Sequence, residues 1–277
     1  MRARRDPVRP ARHASRRTLS LGTALVALLY WNGSDHHANT GDACAMTDAA
    51  DQGPTSPAAV LFDMDGTLVD SEKLWTIALD DYAAHRGGSL SDATREVMVG
   101  SNMTRSMIML LEDLGLPTEE ADVDHAAAWV GARTAELFRE GLPWRPGAPE
   151  ALRTVREHGI STALVTSTIR SLAEIALDTI GRDHFDITVC GDEVDGRNKP
   201  DPEPYLRAAR MLGVDPAGCV AIEDSPTGVA SAEAAGCTVI AIPCEVPLLP
   251  GDRRVLRDSL EGLDLTTLST VLDGAAA

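Results

Sequence analysis

The sequence has few of the residues on which zinc sites and disulfide frameworks depend. Its 277 residues include five cysteines and seven histidines, with no C-x-x-C pair and no H-E-x-x-H motif. Four of the cysteines stand in or beside apolar runs, which is typical of buried free thiols. The pattern therefore gives little support to a zinc hydrolase or to a disulfide-stabilised fold.

Positive charge is scarce beyond the first 45 residues. Those residues hold seven arginines and three aspartates, so they carry a formal charge of +4 and leave −21 on the remainder of a chain whose total is −17. A surface this acidic repels the phosphate backbone of a nucleic acid, which argues against a nucleic-acid partner. A small phosphorylated substrate stays compatible, because a lysine and a bound cation can reverse the field inside one cleft.

The apolar run at residues 19–31 is too short and too interrupted to span a bilayer, and we expect no membrane partner. It lies in an Arg-rich extension, residues 1–57, which we exclude from the fold. The pair Arg16-Arg17 and the triplet Ala43-Cys44-Ala45 are features of an export signal. However, the triplet lies far beyond the apolar run, and translation from Met46 would remove the whole segment. We therefore expect a cytoplasmic protein, with export by a twin-arginine-like signal as the alternative.

After this extension, short apolar runs rich in β-branched residues recur along the chain. Runs of this length and continuity predict strands buried on both faces, as in a parallel sheet. Helical patterns alternate with the later runs, and a glycine follows each pattern directly, as at helix C-termini. This alternation predicts a doubly wound α/β sheet, whose ligands bind beyond the carboxyl ends of the strands. The predicted strands are residues 58–62, 161–166, 186–190, 219–222 and 238–242, and the predicted helices are residues 149–158, 171–180, 202–212 and 228–235.

One long interval breaks the alternation. Between the first predicted strand and Arg145 the chain has helical periodicity and no credible strand, at residues 72–85, 91–99, 104–114 and 119–139. We therefore predict a helical cap domain, residues 71–144, inserted into a core domain formed by residues 58–70 and 145–277. A cap that emerges from the edge of the sheet can close over a bound substrate.

Acidic residues leave two of the predicted strands. Asp63 and Asp65 follow the first strand in the run D-M-D-G, where Gly66 lets the backbone turn sharply. Glu223 and Asp224 follow the fourth strand. Carboxylates in such places are costly unless a cation or a proton offsets their charge. The two segments together therefore predict a cation site at one edge of the sheet.

Two further segments supply groups that bind anions. The second strand ends at Thr166 and Ser167, where hydroxyls and the start of a helix form an anion site. Lys199 stands in the turn N-K-P-D-P before the fourth strand. Each segment alone is ordinary loop chemistry. All of them in this order, at strand ends, argue against ordinary loop chemistry and predict a functional site.

These four segments resemble, residue by residue, the motifs of the haloacid dehalogenase-like superfamily, and the resemblance covers Ala58 to about Ser269. It implies that Asp63 is a nucleophile that attacks phosphorus. It also implies that Asp65 protonates the leaving oxygen and then activates water. The helical insertion resembles the family's cap of the first type, inserted just after the first motif.

The same resemblance implies the binding groups. Thr166 or Ser167, together with Lys199, would hold the phosphoryl oxygens. The implied magnesium ligands are Asp63, Glu223, Asp224 and the backbone carbonyl of Asp65. Magnesium suits this set because it prefers a few carboxylates with phosphate and water oxygens.

The function that the resemblance implies is a magnesium-dependent phosphatase of a small phosphorylated metabolite such as a sugar phosphate. A β-phosphoglucomutase-like mutase is the alternative, but it carries a histidine in the cap hinge where this chain has Trp75. A hydrolytic dehalogenase would need neither magnesium nor Asp65. A non-catalytic binding protein would retain the whole set of acids, hydroxyls and lysine without using it.

The cap residues carry less information. We interpret Trp75, Tyr82, Trp129 and the methionines at 103, 107 and 109 mainly as packing between helices. Arg105, after the turn G-S-N, is the cap residue that we predict to contact substrate, with a solvated helix charge as the alternative. The sequence predicts neither the identity of the substrate nor the oligomeric state.

Overall fold

A computed structural model describes residues 56–98 and 100–275 of the chain. Its sheet has the strand order β3-β2-β1-β4-β5-β6, and every neighbouring pair is parallel. The order reverses between β1 and β4, which places the topological switch point beside β1. The predicted doubly wound α/β class is confirmed. The strands are β1 Ala59–Phe62, β2 Ser161–Val165, β3 Ile187–Val189, β4 Cys219–Glu223, β5 Thr238–Ala241 and β6 Arg254–Leu256.

The central strands are apolar because both faces of the sheet are covered. Side chains alternate between the faces of a strand. In β1, Val60 and Phe62 join one buried cluster, whereas Ala59 and Leu61 join the cluster on the opposite face. All five predicted strands are present, with ends that differ by one residue at most. The sixth strand, β6, was missed because its three residues are half-exposed or exposed at the sheet edge and form no apolar run.

Five helices pack on the two faces of the sheet. Four of them confirm the predicted core helices, and Gly213 and Gly236 end two of these in the left-handed region, with φ of 71° and 98°. The last helix was not predicted. These helices are α5 Ala148–Glu157, α6 Arg170–Ile180, α7 Glu203–Leu212, α8 Pro226–Ala235 and α9 Leu265–Ala275.

Four helices lie between β1 and α5, as predicted. They share a hydrophobic cluster of their own, in which Tyr82 packs edge-on against Trp129 with ring centroids 5.4 Å apart. The interpretation of these two aromatic residues as packing is confirmed, while the exact division of the chain into core and cap domains stays a prediction. The helices are α1 Glu72–His85, α2 Asp92–Met98, α3 Met103–Asp113 and α4 Glu120–Glu140.

None of the helices in the described part of the chain is both long enough and apolar enough to cross a membrane. Residues 1–55, which hold nearly all of the Arg-rich extension and its signal-like features, lie outside the described residues. The alternatives for that segment therefore stay predictions.

Candidate active site

A cleft of about 360 Å³ opens where the carboxyl ends of β1, β2 and β4 meet helices α1 to α3. Parallel strands end at the same edge of a sheet, so residues that are distant in sequence meet there. We call the sheet side of this cleft the core wall and the helical side the cap wall. The predicted site residues on the core wall are Asp63, Asp65, Ser167, Lys199 and Asp224.

Lys199 is the buried cation of the core wall. Its Nζ donates to Asp63 Oδ1 at 2.6 Å and to Glu223 Oε1 at 2.6 Å. The Tyr205 hydroxyl donates to the same Glu223 oxygen at 2.6 Å. Burial lowers the pKa of Lys199, but the two carboxylates outweigh it and raise this pKa above its usual value. Lys199 is therefore charged and fixed beside Asp63.

The acidic residues of the core wall fit a divalent cation. Oxygens of Asp63, Glu223 and Asp224 lie within 4.8 Å of one another, and all three residues are buried. Asp224 Oδ2 is buried without a hydrogen-bond partner among the described residues. Burial raises the pKa of Asp63 to about 7 and that of Asp224 well above its ordinary value, and neighbouring carboxylates add to both effects. Three buried carboxylates this close together are costly to ionise without a cation beside them. Their oxygens suit a hard divalent ion that prefers oxygen ligands.

Gly66 is required for this approach of backbone to carboxylate. Its φ is +80°, a conformation that favours glycine, and a Cβ at this position would overlap the carboxylate of Asp224. The glycine of the D-M-D-G run therefore brings the turn after β1 against the end of β4.

Asp65 is held by hydroxyl and indole donors and takes no part in the acidic cluster through its side chain. Its Oδ1 accepts from Ser71 Oγ at 2.6 Å and from Trp75 Nε1 at 3.1 Å. Its Oδ2 accepts from Thr166 Oγ1 at 3.2 Å and Thr168 Oγ1 at 2.7 Å. Two donors thus come from the start of α1 and its preceding turn, and two from the loop after β2. The carboxylate links the two walls of the cleft.

This arrangement separates residues that the sequence grouped together. Thr166 directs its hydroxyl to Asp65, while Ser167 lines the cleft. Glu223 lies behind the core wall, with both oxygens accepting hydrogen bonds. Sequence reasoning missed the contact of Thr168 with Asp65. The sequence signal for this contact was a second hydroxyl residue, Thr168, two positions after Thr166.

Comparison with known proteins decides the family. A family model described as a haloacid dehalogenase-like hydrolase matches residues 57–236, more than half of the chain. The chain is a haloacid dehalogenase-like hydrolase. The resemblance inferred from the four motifs is thereby confirmed.

The chain is similar to a named phosphatase and to solved structures of the same fold. It is 32% identical to hexitol phosphatase B of Escherichia coli K12 over 217 residues, covering 78% of this chain and 96% of that protein. A solved structure of a Rhodobacter sphaeroides CbbY mutant in complex with xylulose-1,5-bisphosphate is 28% identical, with a TM-score of 0.69 over 76% of this chain and 99% of the other. A β-phosphoglucomutase from Clostridium difficile is 22% identical, with a TM-score of 0.69 over 78% of this chain and 97% of the other, and shows the shared fold.

The cap wall of the hydrolase combines apolar side chains with polar and charged ones. Trp75 both lines the cleft and packs edge-on against Phe138, with ring centroids 6.1 Å apart. Met103 and Met107 also line the cleft while packing among the cap helices, so packing describes only part of what these residues do. Its apolar lining consists of Trp75, Leu79, Met98, Met103 and Met107, and Arg95 is its cation.

The two arginines of the helices next to the cleft differ in position. Arg105 is exposed and is not among the residues that line the cleft, so its contact with substrate stays a prediction. Arg95, in α2, does line the cleft, and its Nη2 forms an ion pair with Asp80. Apart from its place in a predicted helix, Arg95 carried no signal that sequence reasoning could use.

One loop of the cap touches the core beside the acidic cluster. The Gly100 carbonyl accepts from Thr227 Oγ1 at 2.9 Å. With a φ of +69°, Gly100 lies so near Ser225 and Thr227 that a Cβ would collide with both. Asp224 immediately precedes this contact segment, Ser225 to Thr227.

Proposed function

We propose that this hydrolase is a magnesium-dependent phosphatase that releases inorganic phosphate from a small phosphorylated metabolite of the sugar-phosphate class. The observation that carries the proposal is the convergence of Asp63, Lys199 and Asp224 at one cleft. The relationship to hexitol phosphatase B supports the substrate class.

Asp63 is the proposed nucleophile. Its carboxylate attacks phosphorus and displaces the alcohol oxygen, and an aspartyl phosphate forms. Lys199, 2.6 Å from Asp63 Oδ1, offsets the charge of the transferring group. Ser167 lies in the cleft at the N-terminal side of α6, where a hydroxyl and backbone amides suit phosphoryl oxygens.

Asp65 is the proposed acid and base. It donates a proton to the leaving oxygen and then accepts one from the water that hydrolyses the aspartyl phosphate. To reach either oxygen, its carboxylate exchanges some of the four hydrogen bonds described above for a bond to substrate or water. The hydrogen bonds that Asp65 accepts from the two walls then break and re-form as the cap moves.

Mg²⁺ is the proposed cofactor, held by Asp63, Asp224 and the Asp65 carbonyl, with Glu223 as a further candidate ligand. When bound, it neutralises the phosphoryl oxygens and the carboxylates around them. The unpartnered Oδ2 of Asp224 supports its place in this set.

A phosphomutase is the second candidate, because a β-phosphoglucomutase shares the fold. Against it, the hinge carries Trp75, whose indole N–H can donate a hydrogen bond but cannot accept a proton. We therefore expect water, rather than a second sugar hydroxyl, to accept the phosphoryl group.

Product analysis tests this choice. The protein is incubated with magnesium and β-glucose 1-phosphate, and inorganic phosphate and glucose 6-phosphate are measured together. Phosphate release in step with substrate loss is the expected result. Glucose 6-phosphate formed much faster than free phosphate would establish the mutase instead. Absence of turnover of this sugar and of p-nitrophenyl phosphate would favour a non-catalytic binding protein.

The expected site of action is the cytoplasm, with export as the alternative. The oligomeric state stays open, and we expect neither nucleic acid nor membrane as a partner. The acidic charge outside the first 45 residues supports the exclusion of nucleic acid.

A further inference from the structure

The charges that line the cleft are unequal in number. Only two cations line it within the described part of the chain, Lys199 and Arg95. Six carboxyl groups line it, namely Asp63, Asp65, Glu72, Glu96, Asp224 and Glu245. Burial raises the pKa of Glu72 to about 8, so this carboxyl is mostly protonated at neutral pH, whereas the proposed magnesium ion would hold Asp63 and Asp224 in their charged forms. The remaining five carboxylates still outnumber the two cations. A transferring phosphate and a magnesium ion bring charges that offset each other, so the excess of negative charge persists when both are bound.

Both cations are already paired with carboxylates. Lys199 contacts Asp63 and Glu223, and it belongs to the end of the cleft where phosphoryl transfer is proposed. Arg95 forms its ion pair with Asp80 and is followed in sequence by Glu96. Arg95 keeps one buried nitrogen, Nη1, without a hydrogen-bond partner among the described residues, but its charge is offset by Asp80. The described residues of the cap wall therefore offer one further N–H donor but no net positive charge to a second anionic group.

The rest of the cap wall suits a neutral, hydroxyl-bearing group. Thr76, Ser101 and Ser106 line it and can donate or accept hydrogen bonds, and the carboxylate of Glu96 can accept from hydroxyls. Methionines and Trp75 supply apolar contact for carbon chains. The volume of about 360 Å³ is within the range of small-ligand sites.

We infer that the cleft selects monophosphates whose remainder is an uncharged polyol or sugar, and discriminates against bisphosphates of the same carbon skeleton. The inference rests on the proposed phosphatase function. Glu96 is the specificity-determining residue, because it adds negative charge where the far end of the substrate would lie. A second phosphate dianion there meets like charge at close range, which opposes binding.

The test compares mannitol 1-phosphate with mannitol 1,6-bisphosphate as substrates of the full chain with magnesium. We expect kcat/KM for the monophosphate to be higher by about 10-fold or more. Raising the ionic strength should lower the ratio of kcat/KM for the monophosphate to kcat/KM for the bisphosphate, since salt screens charge but does not alter the size of the cleft. Glu96→Lys should narrow it further, by about 5-fold or more, by removing one like charge and adding an opposite one.

Glu112→Lys is the matched control, because Glu112 is an exposed cap carboxylate outside the cleft and its charge change is identical. For Glu112→Lys, the ratio of kcat/KM for the monophosphate to kcat/KM for the bisphosphate should equal that of the wild type. The inference would be overturned if the bisphosphate were used as well as or better than the monophosphate, or if the monophosphate were not turned over. It would also be overturned if neither salt nor Glu96→Lys changed the ratio of the two kcat/KM values. Hydrolysis of p-nitrophenyl phosphate is measured in parallel. If it persists, only the inference fails, whereas its loss means that the proposed function fails.

Discussion

The core wall of the cleft holds its charged groups by several short contacts, whereas the polar side chains of the cap wall are half-exposed or exposed and lie among apolar ones. Lys199 has three acceptors within 2.9 Å, and Asp63 is only 6% exposed. On the opposite wall, Glu96 is exposed and the side chain of Arg95 is 26% exposed. The core wall is thus suited to fixing reacting atoms, and the cap wall to reading a variable part of the substrate.

This contrast predicts that substitutions in the core wall change turnover and that substitutions in the cap wall change the choice of substrate. Asp65 is the exception that joins them, because its four donors come from both sides.

The largest effect is expected at the nucleophile. Asp63→Asn keeps the shape of the side chain but removes its nucleophilic charge, so kcat should fall by about 10⁴-fold or more. The measurement is hydrolysis of p-nitrophenyl phosphate together with the circular dichroism of the variant. Asp178→Asn, on an exposed face of α6, is the control and should retain full activity. A folded Asp63→Asn protein with more than a few per cent of activity would contradict the assignment.

The second effect concerns the acidic cluster. Asp224→Asn should weaken magnesium binding by about 10-fold or more, because one charged oxygen ligand is lost. Titration calorimetry of the protein without substrate measures this directly. Chelator should abolish phosphatase activity, magnesium should restore it, and calcium should inhibit through its looser coordination. Full activity in excess chelator would contradict the metal site and favour a dehalogenase.

A smaller effect is expected where the two walls meet. Trp75→Phe keeps an aromatic ring against Phe138 but removes the N–H that binds Asp65. A single hydrogen bond contributes about 1 kcal/mol net, so kcat should change by about 5-fold, with little change in KM. An unchanged kcat would mean that Trp75 serves only for packing.

The smallest effect is one of stability. Burial raises the pKa of Glu72 to about 8, and the carboxylates of Asp65 and Glu245 add to this. The folded state therefore binds this proton more tightly than the unfolded state, and the free energy of unfolding falls as pH rises from about 4.5 to 8. Glu72→Gln removes that cost. In chelator, its Tm should exceed that of the wild type by about 3–6 °C at pH 9 and match it near pH 4.

Glu112→Gln is the control for the stability measurement, because Glu112 is exposed on α3. Its Tm should follow that of the wild type across the same pH range. A Tm difference for Glu72→Gln that does not depend on pH would show that the Glu72 carboxylate is not the cause.

The sequence predicted the core well because burial on both faces leaves a strong pattern. Strands such as β1 are continuous apolar runs, and the residues after them fall at one edge of any parallel sheet. Asp63 and Asp224 could therefore be placed together from the sequence, whereas Lys199 lies ten residues after β3 and was placed with them by the resemblance to the family. The strand β6 escaped because it lies at an edge, where half-exposed residues form no apolar run.

The cap wall was harder to predict because it depends on the rotation of each helix about its axis. Helix α3 begins at Met103, and Met103, Ser106 and Met107 line the cleft at spacings of three and four residues. Arg105 lies between these positions and is exposed. Periodicity located the helix, but which of its faces meets the cleft follows from packing across three other helices.

The contact of Gly100 with Thr227 joins the cap loop to the backbone segment that follows Asp224. This segment therefore takes part both in docking of the loop and in binding of any ligand at Asp224. The residues that follow Asp224 carry the cap loop, so any ligand that stiffens this stretch also favours the docked loop. Thermodynamic reciprocity then requires the docked loop to raise the affinity of that ligand by the same factor. With the proposed Mg²⁺ bound beside Asp224, undocking of the loop and release of the ion would share one coupling free energy.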